Sequence, residues 1–290
     1  MLCRLFFTAA VLFSASFAAA QGTGTKPPVL TGFTPLTEKE LQAGFIRAFD
    51  GITPYGWGGK TEVKEGKLFF TGKTSETPYR FFFRAADENI PQNTGNGISA
   101  DSAKLRLEEM KPIFDGKTLT GWKLHGKAEA AVADGTIRLT NGSGSLESEE
   151  KYGDFVLQLE YKTDKPVNSG VFFRCIPGEL MNGYECQICN HPPEEDYKKF
   201  IGTDTGGIFR RQVGRNVGPK DGQWNYLTIA AKGNEIATWV NGIQVTDFKD
   251  DRKNDPNPRK GLRTEAGTIQ FQGHDQTTEI FFRNIRIKAL

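Results

Sequence analysis

The chain has 290 residues, with 37 basic and 35 acidic side chains interspersed along it and a net charge of +2. That balance, with no basic stripe, excludes a nucleic-acid-binding surface. With 33 glycines and 22 phenylalanines and little helical periodicity, the composition is that of an all-β sandwich or barrel.

Residues 1–20 read as a secretory signal peptide. Arg4 supplies the positive charge, Leu5 to Phe17 is an apolar run broken only by Thr8, Ser14 and Ser16, and Ala18-Ala19-Ala20 is a small-residue cleavage site. The run is too short for a membrane span and no later stretch is long and apolar enough for one. The expected protein is exported, periplasmic or extracellular.

Residues 21–43 are expected to be a tail. It is rich in Gly, Pro and Thr at first, then holds one short helix in "TEKELQAGF", where Thr37 and Glu40 form a capping box. Strand patterns begin at Ala48, in "KLFFTG" and "YRFFFRA", followed by a loop, "NIPQNTGNGIS". "ADSAKLRLEEMK" carries apolar residues at roughly helical spacing and predicts a short linker helix. "RAFDGITPYGW" and "PIFDGKTLTGW" spell nearly the same turn twice, and each is followed by a turn and a strand. Residues 44–111 are therefore a partial repeat of the opening of the main domain, residues 112–290. The copy is expected to add strands to that domain.

From Pro112 onward the signals are regular: "TIRLT", "FVLQLEYKT", "GVFFRCI", "YECQICN", "YLTIAAKG", "EIATWVNG", "TIQFQG" and "EIFFRNIRIKAL" are strand-like and separated by turn residues. Asn241-Gly242 marks a hairpin tip. So many short strands make an antiparallel sandwich or jelly roll.

Three cysteines remain after export: Cys175, Cys186 and Cys189. An odd number in an oxidising compartment suggests one disulfide and one free thiol. Cys175 and Cys186, on the apolar side of two neighbouring strands, are the expected pair. A zinc site is the weaker reading, because Cys186 and Cys189 lack a second matching pair and His191 stands alone.

Residues two apart on a strand share a face. Arg174, Glu185, Gln187, Gln270, Gln272 and His274 then fall on the polar side of their strands, opposite Val171, Phe173, Cys186 and Phe271. A face rich in amides and guanidinium suits sugar hydroxyls, although a merely solvated sheet face has the same alternation.

The series "FDGKTLTGW", "DFVLQLEYK", "NSGVFFR", "YECQICN", "DTGGIF", "DGQWNYLTI", "WVNG" and "GTIQFQGHD…IFFRNIRI" resembles, in that order, the 3-keto-disaccharide hydrolase family. The resemblance implies a concanavalin-like jelly roll. It also implies 3-keto-α-glucoside 1,2-lyase and 3-keto-2-hydroxyglucal hydratase activity on a 3-keto-disaccharide or other 3-keto-glycoside. Three positions depart from the family: Asn190 stands where members commonly carry Asp, and Cys186 and Cys189 stand where aliphatic residues are usual.

The chemistry needs a base at C2, an electrophile for the enolate oxygen and an acid for the leaving oxygen. It does not need the paired carboxylates of an ordinary glycosidase. Laminarinase-like jelly rolls carry Glu-x-Asp-x-x-Glu, whereas this chain reads Glu185-x-Gln187-x-x-Asn190. The candidate catalytic residues are Glu185 as base or metal ligand, Arg174 to position the sugar or stabilise the enolate oxygen, and His274 as acid, base or ligand. Gln187, Gln272, Asn168 and Asn190 are candidates to hold hydroxyls. No cofactor is specified, and a divalent metal stays open. The alternative is a secreted carbohydrate-binding jelly roll without catalysis.

Overall fold

Alternation of apolar and polar residues over five to eight positions dictates most of the architecture, because each such segment must bury one face. The computed structural model describes residues 26–58, 60–70 and 96–290. The expected signal peptide, the strand at Tyr79–Ala85 and most of the loop after it lie outside the described residues.

The amino-terminal part contains α1 (Glu38–Gln42) and the short strands β1 (Phe45–Arg47), β2 (Thr61–Lys64), β3 (Lys67–Phe70), β4 (Ile98–Ser99) and β5 (Lys104–Arg106). The main body comes next, with β6 (Lys111–Pro112), β7 (Trp122–Gly126), β8 (Glu129–Ala133), β9 (Thr136–Thr140), β10 (Gly144–Ser148), β11 (Phe155–Lys162), β12 (Ser169–Cys175) and β13 (Tyr184–Ile188). After α2 (Glu194–Lys199) come β14 (Asn225–Lys232), β15 (Glu235–Val240), β16 (Ile243–Lys249), β17 (Thr268–Gly273) and β18 (Glu279–Ala289).

Two antiparallel sheets form the body. One runs β13-β12-β17-β10-β7; the other runs β16-β15-β14-β11-β18-β9-β8, with β6 also on β18. The inward residues of both, among them Trp122, Leu146, Leu157, Val171, Phe173, Cys186, Ile229, Phe271 and Phe282, make one core. Phe271 stacks between Trp122 and Phe282 at centroid distances of 5.1 and 4.4 Å. This is an antiparallel jelly-roll sandwich, as the strand pattern predicts. The hairpin of β15 and β16 turns at Asn241 (φ 50°) and Gly242 (φ 77°), the two positive values that a type I′ turn demands.

The repeated turn is wired identically in both copies. The Asp50 carboxylate accepts from the backbone N–H of Ile52 and Thr53 and from the Thr53 hydroxyl; Asp115 does the same for Lys117 and Thr118. Trp57 donates its indole N–H to the Ala48 carbonyl at 2.6 Å, and Trp122 donates to Ile113 at 3.0 Å. Among the described residues the first copy adds no strand to the main sheets, contrary to expectation. Its described strands pair with one another, β1 with β5 and β2-β3-β4 in a second small sheet. They bury Ile46, Phe49, Trp57, Leu68 and Leu105 on Val156, Ala230, Ala237 and Trp239, the outward residues of β11, β14 and β15.

Two further expectations fail. The linker helix in residues 100–111 is a turn followed by β5. Ala103, Leu105 and Leu107 are all buried, and their spacing of two is a strand's period. The described part of the tail rests on the body: Leu30 and Phe33 pack on the main core, and the Leu30 N–H donates to the Asn216 carbonyl at 2.6 Å. The capping box of α1 is present as read, linking Thr37 and Glu40.

Candidate functional site

The outer face of the five-stranded sheet carries four of the six polar residues that alternation assigned to it, Glu185, Gln187, Gln270 and Gln272. Pairing places them in rows. Glu185 on β13 lies beside Phe172 on β12, Phe172 beside Gln270 on β17, Gln270 beside Glu147 on β10, and Glu147 beside Lys123 on β7. In the next row Gln187 lies beside Gly170, and Gln272 beside Ser145, which neighbours His125.

Glu185 is buried, with 7 % of its surface exposed. Among the described residues no group donates a hydrogen bond to its carboxylate; the closest cation is Arg259, whose Nη2 is 3.8 Å from Oε2. Burial pushes its pKa up to about 7, with Arg259 and Arg210 opposing the rise. A carboxylate in this state is poised to take a proton near neutral pH. Gly170 makes room for it, since a Cβ there would stand 2.9 Å from Glu185 Oε1. Glu185 opens into a cleft of about 120 Å³ lined also by Gly183, Tyr184, Phe209, Arg210, Arg211, Pro258 and Arg259.

Gln187 donates to Asn168 Oδ1 at 2.8 Å, and Gln272 donates to the Met181 sulfur at 3.0 Å. The Oε1 atoms of Gln187 and Gln272 are both buried without a partner. Buried acceptors of this kind call for hydroxyl donors. The connection between β12 and β13 folds over the middle of the face: the Met181 N–H donates to Gln270 Oε1 at 2.7 Å, and Gln270 donates to the Glu179 carbonyl at 2.9 Å.

Four sequence assignments land elsewhere. A bulge between Phe172 and Cys175 shifts the register of β12 against β17 and puts Arg174 in the left-handed region at φ 50°. Its fully buried guanidinium donates to the carbonyls of Gly153, Gly233 and Arg263 and to Asp154 Oδ1, the last at 2.8 Å. Arg174 therefore anchors the loops at one end of the sandwich, buried out of reach of a substrate. His274 lies past the end of β17, 43 % exposed, with Nδ1 2.8 Å from Asp275 Oδ2. Asn190 accepts from the hydroxyls of Tyr161 and Thr205 and donates to Asp221, a bracket against the core rather than part of the outer face. Cys175 and Cys186 are free, buried thiols. The same bulge turns Cys175 to the outer side, opposite Thr268, while Cys186 stays in the core, so the expected disulfide is absent.

Alternation missed Glu147, Arg259 and His125. Glu147 is saturated: it accepts from the Thr268 hydroxyl, the Gln270 amide and the Gly178 N–H, and its Oε2 lies 2.6 Å from His125 Nε2. Its signal in the sequence was the Ser145-Leu146-Glu147 alternation in "GSLES". Arg259 sits in a loop, where no periodicity marks it; its guanidinium lies 5.2 Å from the Phe172 ring centre and donates to the Met181 carbonyl.

Among the described residues no group of three or more His, Cys, Asp or Glu side chains is placed to hold a metal ion. His125 and Glu147 supply two donors, and Glu147 already accepts three hydrogen bonds. Among the described residues, then, no cluster of donors is arranged to fit a bound divalent cation.

Fold and face together define an antiparallel sandwich with an amide-lined sheet surface around one unsaturated carboxylate. Residues 109–288 match the model of the 3-keto-alpha-glucoside-1,2-lyase-like domain, and the chain belongs to that family. It is similar to a 3-keto-disaccharide hydrolase of Bacteroides thetaiotaomicron, 26 % identical over 228 residues, which span 61 % of this chain and 77 % of the relative. A solved structure of a provisionally assigned glycosyl hydrolase from Parabacteroides distasonis superposes with a TM-score of 0.52 at 27 % identity, covering 63 % of this chain and all of that one. A second structure from the same organism gives a TM-score of 0.52 at 23 % identity, over 62 % of this chain and 94 % of its own, and supports the fold alone.

Proposed function

We propose that the chain is an exported enzyme that cleaves 3-keto-glycosides by removing the C2 proton, expelling the C1 substituent and hydrating the product. Family membership supports the substrate class, and the signal-peptide-like residues 1–20 support export. One observation carries the mechanism: Glu185 is a buried carboxylate without a hydrogen-bond donor, its pKa raised to about 7, at the mouth of a cleft.

The ketone at C3 makes the C2 proton acidic. Glu185 takes it, and the electron pair moves into an enolate whose negative oxygen needs a cation. Arg259 is the guanidinium beside Glu185 and fills the role that sequence spacing gives to Arg174. The enolate then re-forms the ketone and breaks the C1–O bond. Glu185, now carrying the proton, is the acid at hand for the leaving oxygen. Water adds across the resulting double bond, for net hydrolysis. Gln187, Gln272 and Asn168 hold hydroxyls.

The test compares a 3-keto-disaccharide with its unoxidised parent. Cleavage of the first alone is expected. Equal cleavage of both removes the elimination mechanism, because without the ketone the C2 proton does not leave. A second reading, a non-catalytic carbohydrate-binding module, is favoured by the connection over Gln270 and Gln272, and sugar binding with no cleavage of either compound would establish it.

A further inference from the structure

The cleft beside Glu185 is far more basic than the chain around it. Its lining holds three arginines, Arg210, Arg211 and Arg259, against the single carboxylate of Glu185, in a protein whose net charge is only +2. Two of these arginines serve the protein's own backbone. Arg211 donates to the carbonyls of Arg210 and Arg259 at 2.9 and 2.8 Å. Arg259 donates to the Met181 carbonyl at 3.2 and 2.8 Å.

Arg210 is different. Its guanidinium lies 5.2 Å from the centre of the Phe200 ring and 5.3 Å from that of Phe209, and the two rings are 5.4 Å apart. Among the described residues it donates to no acceptor. Stacking on rings fixes the plane of a guanidinium without using its N–H groups. The result is a held, exposed cationic fork, close enough to Glu185 for its charge to be felt there.

We propose that this cleft is an oxyanion subsite, so that the preferred substrate is an acidic glycoside bearing a carboxylate or sulfate on the sugar next to the 3-keto residue, with Arg210 as the residue that selects it. The proposal rests on the reading of Glu185 as the reacting centre. A planar carboxylate or a sulfate offers the paired oxygens that a guanidinium fork fits. A neutral hydroxyl in the same place leaves the charge of Arg210 unanswered.

The test is calorimetric binding of a glucuronyl-glucose disaccharide, a sulfated glucosyl-glucose and neutral glucosyl-glucose to the wild type, Arg210→Gln and Arg210→Lys. None of the three probes carries the ketone, so chemistry does not deplete them. Circular dichroism checks that the variants fold. The wild type should bind one of the two anionic probes about tenfold more tightly than the neutral one, the gain of one charge-assisted contact at a partly wet site. The tighter of the two names the anion. The preference should fall towards unity in Arg210→Gln, survive in part in Arg210→Lys, and shrink as salt is raised. Equal binding of all three by the wild type overturns the subsite. Full preference retained in Arg210→Gln overturns the role of Arg210. Cleavage of a neutral 3-keto-disaccharide is measured in parallel, so loss of the subsite and loss of the Glu185 mechanism are seen separately.

Discussion

Glu185 and Glu147 stand in one register row, with Phe172 and Gln270 between them. Three strand spacings separate their backbones, roughly 14 Å at about 4.8 Å each. Paired-carboxylate glycosidases hold their two acids at roughly 5 to 9.5 Å. Glu147 also has its oxygens filled by Thr268, Gln270, Gly178 and His125. Of the two, only Glu185 keeps a carboxylate without a hydrogen-bond donor among the described residues, as the proposed elimination at C2 requires.

Glu185→Gln keeps the shape of the side chain and removes the base. A loss of at least about a hundredfold in kcat on a 3-keto-disaccharide, with binding retained, is expected from general-base catalysis. In the wild type, kcat/KM should rise with pH through about 7, because the base works only when deprotonated. Cleavage by the variant at the wild-type rate would remove Glu185 from the mechanism.

The same group sets a stability trend of opposite sign. Its folded pKa, about 7, lies above the ordinary 4.5. The folded state therefore holds the proton more tightly, and stability falls as pH rises from about 4.5 to about 7. Glu185→Gln should unfold later than the wild type at pH 8, by at most about 3 kcal/mol, and lose that advantage below about pH 4.5. Thermal melts across pH check it, and an advantage that does not vary with pH would contradict it.

Gly170→Ala is a steric test of the same carboxylate. The new methyl would meet Glu185 Oε1 at 2.9 Å and Cγ at 3.1 Å, so the carboxylate must move. Activity should drop at least about tenfold, as expected when a reacting group is misplaced, with a stability change within about 1–2 kcal/mol. Unchanged kcat would mean that the position of Glu185 is not critical.

Arg174→Met should behave in the reverse manner. It strips donors from three carbonyls and from Asp154, costing about 2–4 kcal/mol, below the full figure for a buried pair because Asp154 is 35 % exposed. The folded fraction should keep its KM. Urea unfolding and a KM determination together separate this anchoring role from a catalytic one.

The three free thiols are buried, and burial raises the pKa of each. A thiol reagent should label none of Cys175, Cys186 and Cys189 in the native protein and all three after unfolding. Two unreactive sulfurs after non-reducing denaturation would mean a disulfide.

Alternation found Glu185, Gln187, Gln270 and Gln272 because each lies within an unbroken stretch of strand. It misplaced Arg174 because a bulge reverses parity and leaves no mark in "GVFFRC". His274 was carried one step beyond a strand that ends at Gly273. Asn190 shares the spacing of a catalytic motif, yet the chain has left β13 by then. Arg259 and Arg210 come from loops, whose course depends on contacts that no local pattern encodes. The family resemblance covered residues 112–290, and the matched span is 109–288. The repeated F-D-G turn was visible as spelling, but its docking place was not, because that depends on the outward residues of β11, β14 and β15.

Those outward residues have a use beyond this molecule. Val156, Ala230, Ala237 and Trp239 sit where a two-layer sandwich would face water, and they are apolar only because a third layer covers them. They act as a fingerprint. A relative with polar side chains at the matching positions should lack the amino-terminal half-copy, and one with apolar side chains there should carry it or bury the patch against another protein. Architecture across the family can thus be sorted from four sites on the sheet opposite the candidate site.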